Sequence, residues 1–304
     1  MAKFIEKFIL PDKKQEEFMI RQRMDENGGA FGYIDNIYPC GIFAKKELSE
    51  LDFSNITILY GGNGSGKSTL LNLIANKLDI KRIAPFNQSE LFNNYVESCR
   101  VIMAEDDEGF VYKHAPHNSR IIMSDDIFDY MLTARENNAT IADNSRELKE
   151  EWASMKYGET IRLKGMENYE EFSRQVDARK KSLSRRKYVY KLAGQEVKLN
   201  SNGETALDYF ENKLSNDCLY CLDEPENSLS PKFQQELVDI IQKKARYCGC
   251  QFIIATHSPF VLSLEGAKIY DLDSVPVDIK KWWELENTIT YYEFFKQNEH
   301  LFED

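Results

Sequence analysis

Nine consecutive residues, Gly61-Gly62-Asn63-Gly64-Ser65-Gly66-Lys67-Ser68-Thr69, constrain this chain more than any other feature. They fit the pattern G-x-x-x-x-G-K-[ST] and stand between the apolar run NITILY (Asn55 to Tyr60) and the helical run TLLNLIANKL. A strand, a glycine loop and a helix in that order open a mainly parallel α/β fold whose loop N–H groups wrap phosphate oxygens. The helix N-terminus adds a dipole that favours the same anion. Lys67 is expected to reach the terminal phosphates of a nucleotide, and the Ser68 hydroxyl to ligate Mg²⁺. ATP with Mg²⁺ is therefore the expected ligand pair.

Two later strands carry the partners that such a loop needs. CLYCLDE (Cys218 to Glu224) is an apolar run ending in two acids. Asp223 is expected to hold the Mg²⁺, and Glu224 to orient and deprotonate an attacking water. QFIIATHSPF ends a further apolar run on His257, at the carboxyl edge of the sheet where α/β proteins bind ligands, and this residue is expected to sense the terminal phosphate. The catalytic set is thus Lys67, Glu224 and His257, with ATP hydrolysis as the reaction. Asn200 to Glu204 (NSNGE), taken by itself, is the capped start of a helix with Leu207, Phe210 and Leu214 at helical spacing.

The chain has 304 residues, 42% of them apolar, which suffices for a large core. It reads as a single α/β domain over 1–304, with a polar, helix-prone insertion between about Phe128 and Leu199. No apolar run reaches the roughly 20 residues that span a bilayer, and charges at Lys3, Glu6 and Lys7 spoil a signal-peptide core, so a cytoplasmic protein without membrane segments is expected. The net charge of −11 weighs against a chain coated with nucleic acid. The basic run Arg179, Lys180, Lys181, Arg185, Arg186, Lys187 is the one candidate contact for DNA or RNA. Cys218 and Cys221 lie in a predicted buried strand, where residues three apart face opposite ways, so reduced core thiols are expected rather than zinc. Tyr38 and Phe43, upstream of the glycine loop, read as core.

In this order the motifs resemble the ABC-type ATPase heads, the superfamily of RecF-like, chromosome-maintenance and overcoming-lysogenization-defect proteins. Within it the chain is similar to the compact stand-alone bacterial ATPases of the AAA group. The resemblance rests on IYPCGIF, LDFSNITILYGGNGSGKSTLLNLIA, RIIMSDDIFDYM, the NSNGE helix, CLYCLDEPENSLSP, QFIIATHSPFVL and AKIYDLD. It implies a P-loop fold of the head type and a signature motif at Ser201, Gly203 and Glu204 that contacts the nucleotide of a second copy. It makes Pro225 to Leu229 (PENSL) the D-loop, where two heads communicate. Asn202 departs from the usual small Gly or His. A Q-loop glutamine is replaced by Ser124, Asp125 and Asp126, of which Asp125 is the expected additional metal contact.

The resemblance further implies a homodimer, or higher oligomer, of heads driving a separate effector in antiphage defence or DNA repair. A transporter ATPase subunit fits the signature and D-loop less well. Nuclease activity is expected only from a separate partner, because too little chain follows His257 for such a domain and the D-x-D at Asp271 to Asp273 falls in a predicted strand.

Overall fold

The computed structural model describes residues 3–27, 34–82, 88–163, 166–180, 202–227 and 229–302. Two compact units are formed, one from residues 1–127 with 202–304 and the other from residues 128–201.

In chain order the first part contributes β1 (Ile5–Ile9), α1 (Lys13–Glu26), β2 (Glu50–Asp52), β3 (Ile56–Tyr60), α2 (Lys67–Lys77), α3 (Phe92–Ser98), β4 (Arg100–Met103) and β5 (Arg120–Met123). Then come α4 (Ser124–Tyr157), α5 (Tyr169–Arg179), α6 (Asn202–Lys213), β6 (Leu219–Asp223), α7 (Pro231–Tyr247), β7 (Gln251–Thr256), α8 (Pro259–Leu262), β8 (Lys268–Asp271), β9 (Asp278–Lys280) and α9 (Glu286–Gln297).

The main sheet runs β5-β6-β7-β3-β8-β9, parallel except for the antiparallel edge strand β9. Every residue of β3, β6 and β7 is buried, the continuous apolar pattern of strands covered on both faces. β7 lies between β3 and β6, with Tyr60 paired to Thr256 and Asp223 to Ala255. The glycine loop, the two acids and His257 therefore leave neighbouring strands at one level on one edge.

A second, antiparallel sheet, β2-β1-β4, was not foreseen as a unit. The fully buried Gln251 links it to the start of β7: its Oε1 accepts the N–H groups of Phe4 and Ile5, and its Nε2 donates to the carbonyls of Ile5 and Ser54. All four amide hydrogen-bonding positions are thereby used, which offsets the cost of burying the group.

In the RIIMSDD segment β5 ends at Met123 and α4 begins directly at Ser124. Asp126 accounts for the early turn, because its carboxylate accepts the Met123 N–H at 2.9 Å. In the 128–201 unit, Trp152 and Ala178 are buried with Leu148 and Met155 packed on them, and Gln175 bonds to Ile161 N–H and Glu159 C=O. Among the described residues, no helix is long and apolar enough to cross a membrane.

Candidate active site

Gly66 ends the glycine loop as the N-cap of α2 with φ of 103°, a left-handed conformation that side chains resist. A Cβ there would also press on Ile42 and Phe43 at 3.1 Å, so glycine serves both backbone and packing. Gly62, Asn63 and Gly64 remain exposed at the rim of the loop, while Ser65 is buried with a hydroxyl that has no hydrogen-bond partner among the described residues.

Lys67 is buried, and its ammonium donates to Gly61 C=O at 2.7 Å and Gly62 C=O at 3.1 Å. Its Nζ also lies 3.7 Å from Glu224 Oε1. Thr69 Oγ1 accepts from the Tyr38 hydroxyl at 3.2 Å. Tyr38 stacks on Phe92 and Phe43 is fully buried, so both aromatics are engaged by protein.

Asp223 closes β6 and is buried. One carboxylate oxygen, Oδ1, has no hydrogen-bond partner among the described residues, while the side chain is hydrogen-bonded by Ser68. Burial pushes its carboxyl up to about 6, the Ser68 bond pulling the other way. An orphaned carboxylate oxygen beside a hydroxyl, under a buried lysine, is a donor set suited to a small hard cation with oxygen ligands. The residues thus fit Mg²⁺ at Ser68 and Asp223.

Asp125 does not fit so readily, because it is exposed in the first turn of α4. The buried acid of that turn is Asp126. Arg82, whose pKa is lowered by burial, feels the charge of Asp126 first, then Asp223, with Asp125 weaker still. The helical phase of this turn decides which acid faces inward.

Glu224 has φ of 47°, uncommon for a residue with a side chain and costing on the order of 1 kcal/mol. The bend carries the chain out of β6, with Glu224 N–H still bonded to Ala255 C=O. Its Oε2 accepts from Asn227 Nδ2 at 3.0 Å, and its Oε1 lies 3.6 Å from His257 Nδ1. Lys67, Glu224 and His257 are therefore brought together, with Asp223 and Ser68 paired beside them. A cleft of about 470 Å³ opens alongside, lined by Gly61 to Asn63, Tyr60, His257, Asp273 and the start of α9.

Of the expected signature, Ser201 lies outside the described residues. Gly203 and Glu204 occupy the first turn of α6, Glu204 exposed and Gly203 buried. A Cβ on Gly203 would come within 2.1 Å of the Phe233 ring on α7. Gly203→Ala should therefore force the two helices apart, lowering stability by about 1–3 kcal/mol in thermal or urea unfolding. An unchanged midpoint would contradict this close approach.

The basic run is only partly described. Arg179 is committed within its own unit, donating to Met155 C=O, Gly158 C=O and Thr160 Oγ1, and Lys180 pairs with Asp177. Lys181, Arg185, Arg186 and Lys187 lie outside the described residues. Cys40, Cys99, Cys218, Cys221 and Cys250 are buried free thiols and Cys248 a partly exposed one; the described residues hold no cluster of metal-binding side chains of the zinc kind.

Sequence reasoning passed over Asn227, Glu226, Asp273 and Asn287 as site residues. Asp273 accepts the Gly62 N–H at 2.7 Å, and its D-x-D had been read only as strand. Asn227 and Glu226 stood inside PENSL without an individual role, whereas Asn287 has no local signal at all.

Residues 49–227 match the family model described as ABC transporter, and residues 214–263 match one described as an AAA domain assigned to the AbiEii toxin of Type IV TA systems. Among curated proteins none matches the sequence. Similar solved structures include an SMC head domain from Thermotoga maritima, 17% identical, covering 77% of this chain and 92% of that one with a TM-score of 0.36. Another is an ATP-binding cassette in a dimeric post-hydrolysis state bound to ADP and Pi, 15% identical, covering 77% and 88% with a TM-score of 0.36.

Proposed function

The chain belongs to the ABC transporter family, which is a family of ATPase domains, and from that premise we propose that it is an ATP-hydrolysing switch whose heads close in pairs around nucleotide. The observation that carries the proposal is the meeting of Lys67, Asp223, Glu224 and His257 at adjacent strand ends beside an open glycine loop.

The loop N–H groups and Lys67 bind the phosphates, so that the ammonium exchanges its carbonyl partners for phosphate oxygens. Ser68 and Asp223 would hold Mg²⁺, which would neutralise charge on the phosphate oxygens. Glu224, oriented by Asn227, accepts the proton of the attacking water. His257 fixes the terminal phosphate and that water from the β7 side. By the family resemblance, the signature at Ser201, Gly203 and Glu204 acts on a second copy's nucleotide. Closure would then be passed to an effector protein, in antiphage defence or DNA repair; a nucleic-acid contact, if made, falls on the basic run ending at Lys187.

His257→Ala should leave ATP affinity within about twofold while slowing turnover roughly 10-fold or more, as for a group needed mainly in the transition state. Steady-state hydrolysis alongside calorimetry checks this. Unchanged turnover would reduce His257 to a structural residue.

A further inference from the structure

The imidazole of His257 is 48% exposed, so packing alone does not hold it. Its backbone, however, is gripped from two directions. Glu226 Oε1, in the turn after β6, accepts from the Thr256 hydroxyl at 2.5 Å and from the N–H groups of His257 and Ser258 at 3.3 Å each. Asn287, at the start of α9, donates its Nδ2–H to His257 C=O at 2.7 Å. The N–H of the same Asn287 bonds the Tyr60 hydroxyl at 3.1 Å, and Tyr60 directly precedes Gly61 of the glycine loop.

We infer that Glu226 and Asn287 are positioning residues that clamp the His257 peptide and keep its imidazole beside Glu224. The inference rests on the reading of His257 as a group acting at the terminal phosphate. The two jaws differ in cost. Glu226 is buried, 4% exposed, and serves three donors, so deleting it takes this acceptor from the Thr256 hydroxyl and the His257 N–H, while Ser258 N–H keeps its bond to Thr256 Oγ1, and threatens the fold. Asn287 is partly exposed, and water can replace its bond to the carbonyl, so removing it should loosen the geometry with little loss of stability. Asn287 also ties α9 to both the glycine-loop strand and the His257 turn, so displacement of this helix would be felt at His257.

The test is a double-mutant cycle on the whole chain, reading kcat and KM for Mg·ATP hydrolysis in the unaltered protein, Asn287→Ala, His257→Ala and the double variant. The clamp predicts that Asn287→Ala lowers kcat by about 10-fold, within the range for a displaced catalytic group, with KM and melting temperature unchanged. It also predicts that the double variant is no slower than His257→Ala alone. Should Asn287→Ala fold poorly, Asn287→Ser carries the same comparison. Unchanged kcat in the Asn287 variant, with His257→Ala slow, overturns the clamp and leaves the role of His257 standing; so do multiplicative losses in the double variant. A His257→Ala enzyme as fast as the unaltered protein overturns the role itself, and the clamp with it.

Discussion

Glu224→Gln is expected to lower ATP turnover by at least ~100-fold while leaving nucleotide binding intact. The amide is nearly isosteric with the carboxylate, so the left-handed bend at φ of 47° and the Asn227 contact place no new demand on the fold. What changes is basicity: the amide cannot take the water's proton. The 3.7 Å approach of Lys67 and the 3.6 Å approach of His257 Nδ1 lose a charged partner, which should free the ammonium for phosphate rather than hinder it. Steady-state hydrolysis and calorimetry together separate these effects. Turnover within about threefold of the unaltered protein would remove Glu224 from the role of base.

Lys67→Ala should abolish tight ATP binding. The ammonium is the one buried cation in the glycine loop, held by the carbonyls of Gly61 and Gly62 where phosphate oxygens would compete for it. Hydrogen bonds to charged groups contribute about 1.5–3 kcal/mol, so affinity should fall on the order of 100-fold. The same change leaves Glu224 and Asp223 without the nearby cation, and free enzyme should become no more stable. Normal affinity in calorimetry would contradict the assignment of the loop.

The parts of this site that could be read in advance are those in which a short segment carries both its structure and its chemistry. The glycine loop needs its strand and helix as immediate neighbours, and both are written beside it. The acids at the end of β6 and the histidine after β7 follow runs of buried residues whose apolar content identifies parallel strands. The clamp on His257 was not legible, because Glu226 and Asn287 are far apart in sequence and meet only across the sheet edge. Nor was the choice of Asp126 over Asp125, since it turns on the residue at which β5 gives way to α4. The three-residue strands β2 and β9 carry too few side chains to declare a period, and that β1 and β4 join β2 in a separate sheet leaves no local mark because the pairing is between segments far apart in sequence.

If two heads share their nucleotides, the mass of Glu224→Gln in solution depends on ATP. Light scattering should show monomer without nucleotide and dimer with Mg·ATP, the dimer persisting because hydrolysis is blocked. Adding Ser201→Arg, at the signature position that the family resemblance assigns to the facing nucleotide, should abolish that dimer and leave ATP affinity within about threefold, since on that assignment the arginine meets the other copy's nucleotide. A mass independent of ATP, or a dimer indifferent to Ser201→Arg, would contradict the composite site.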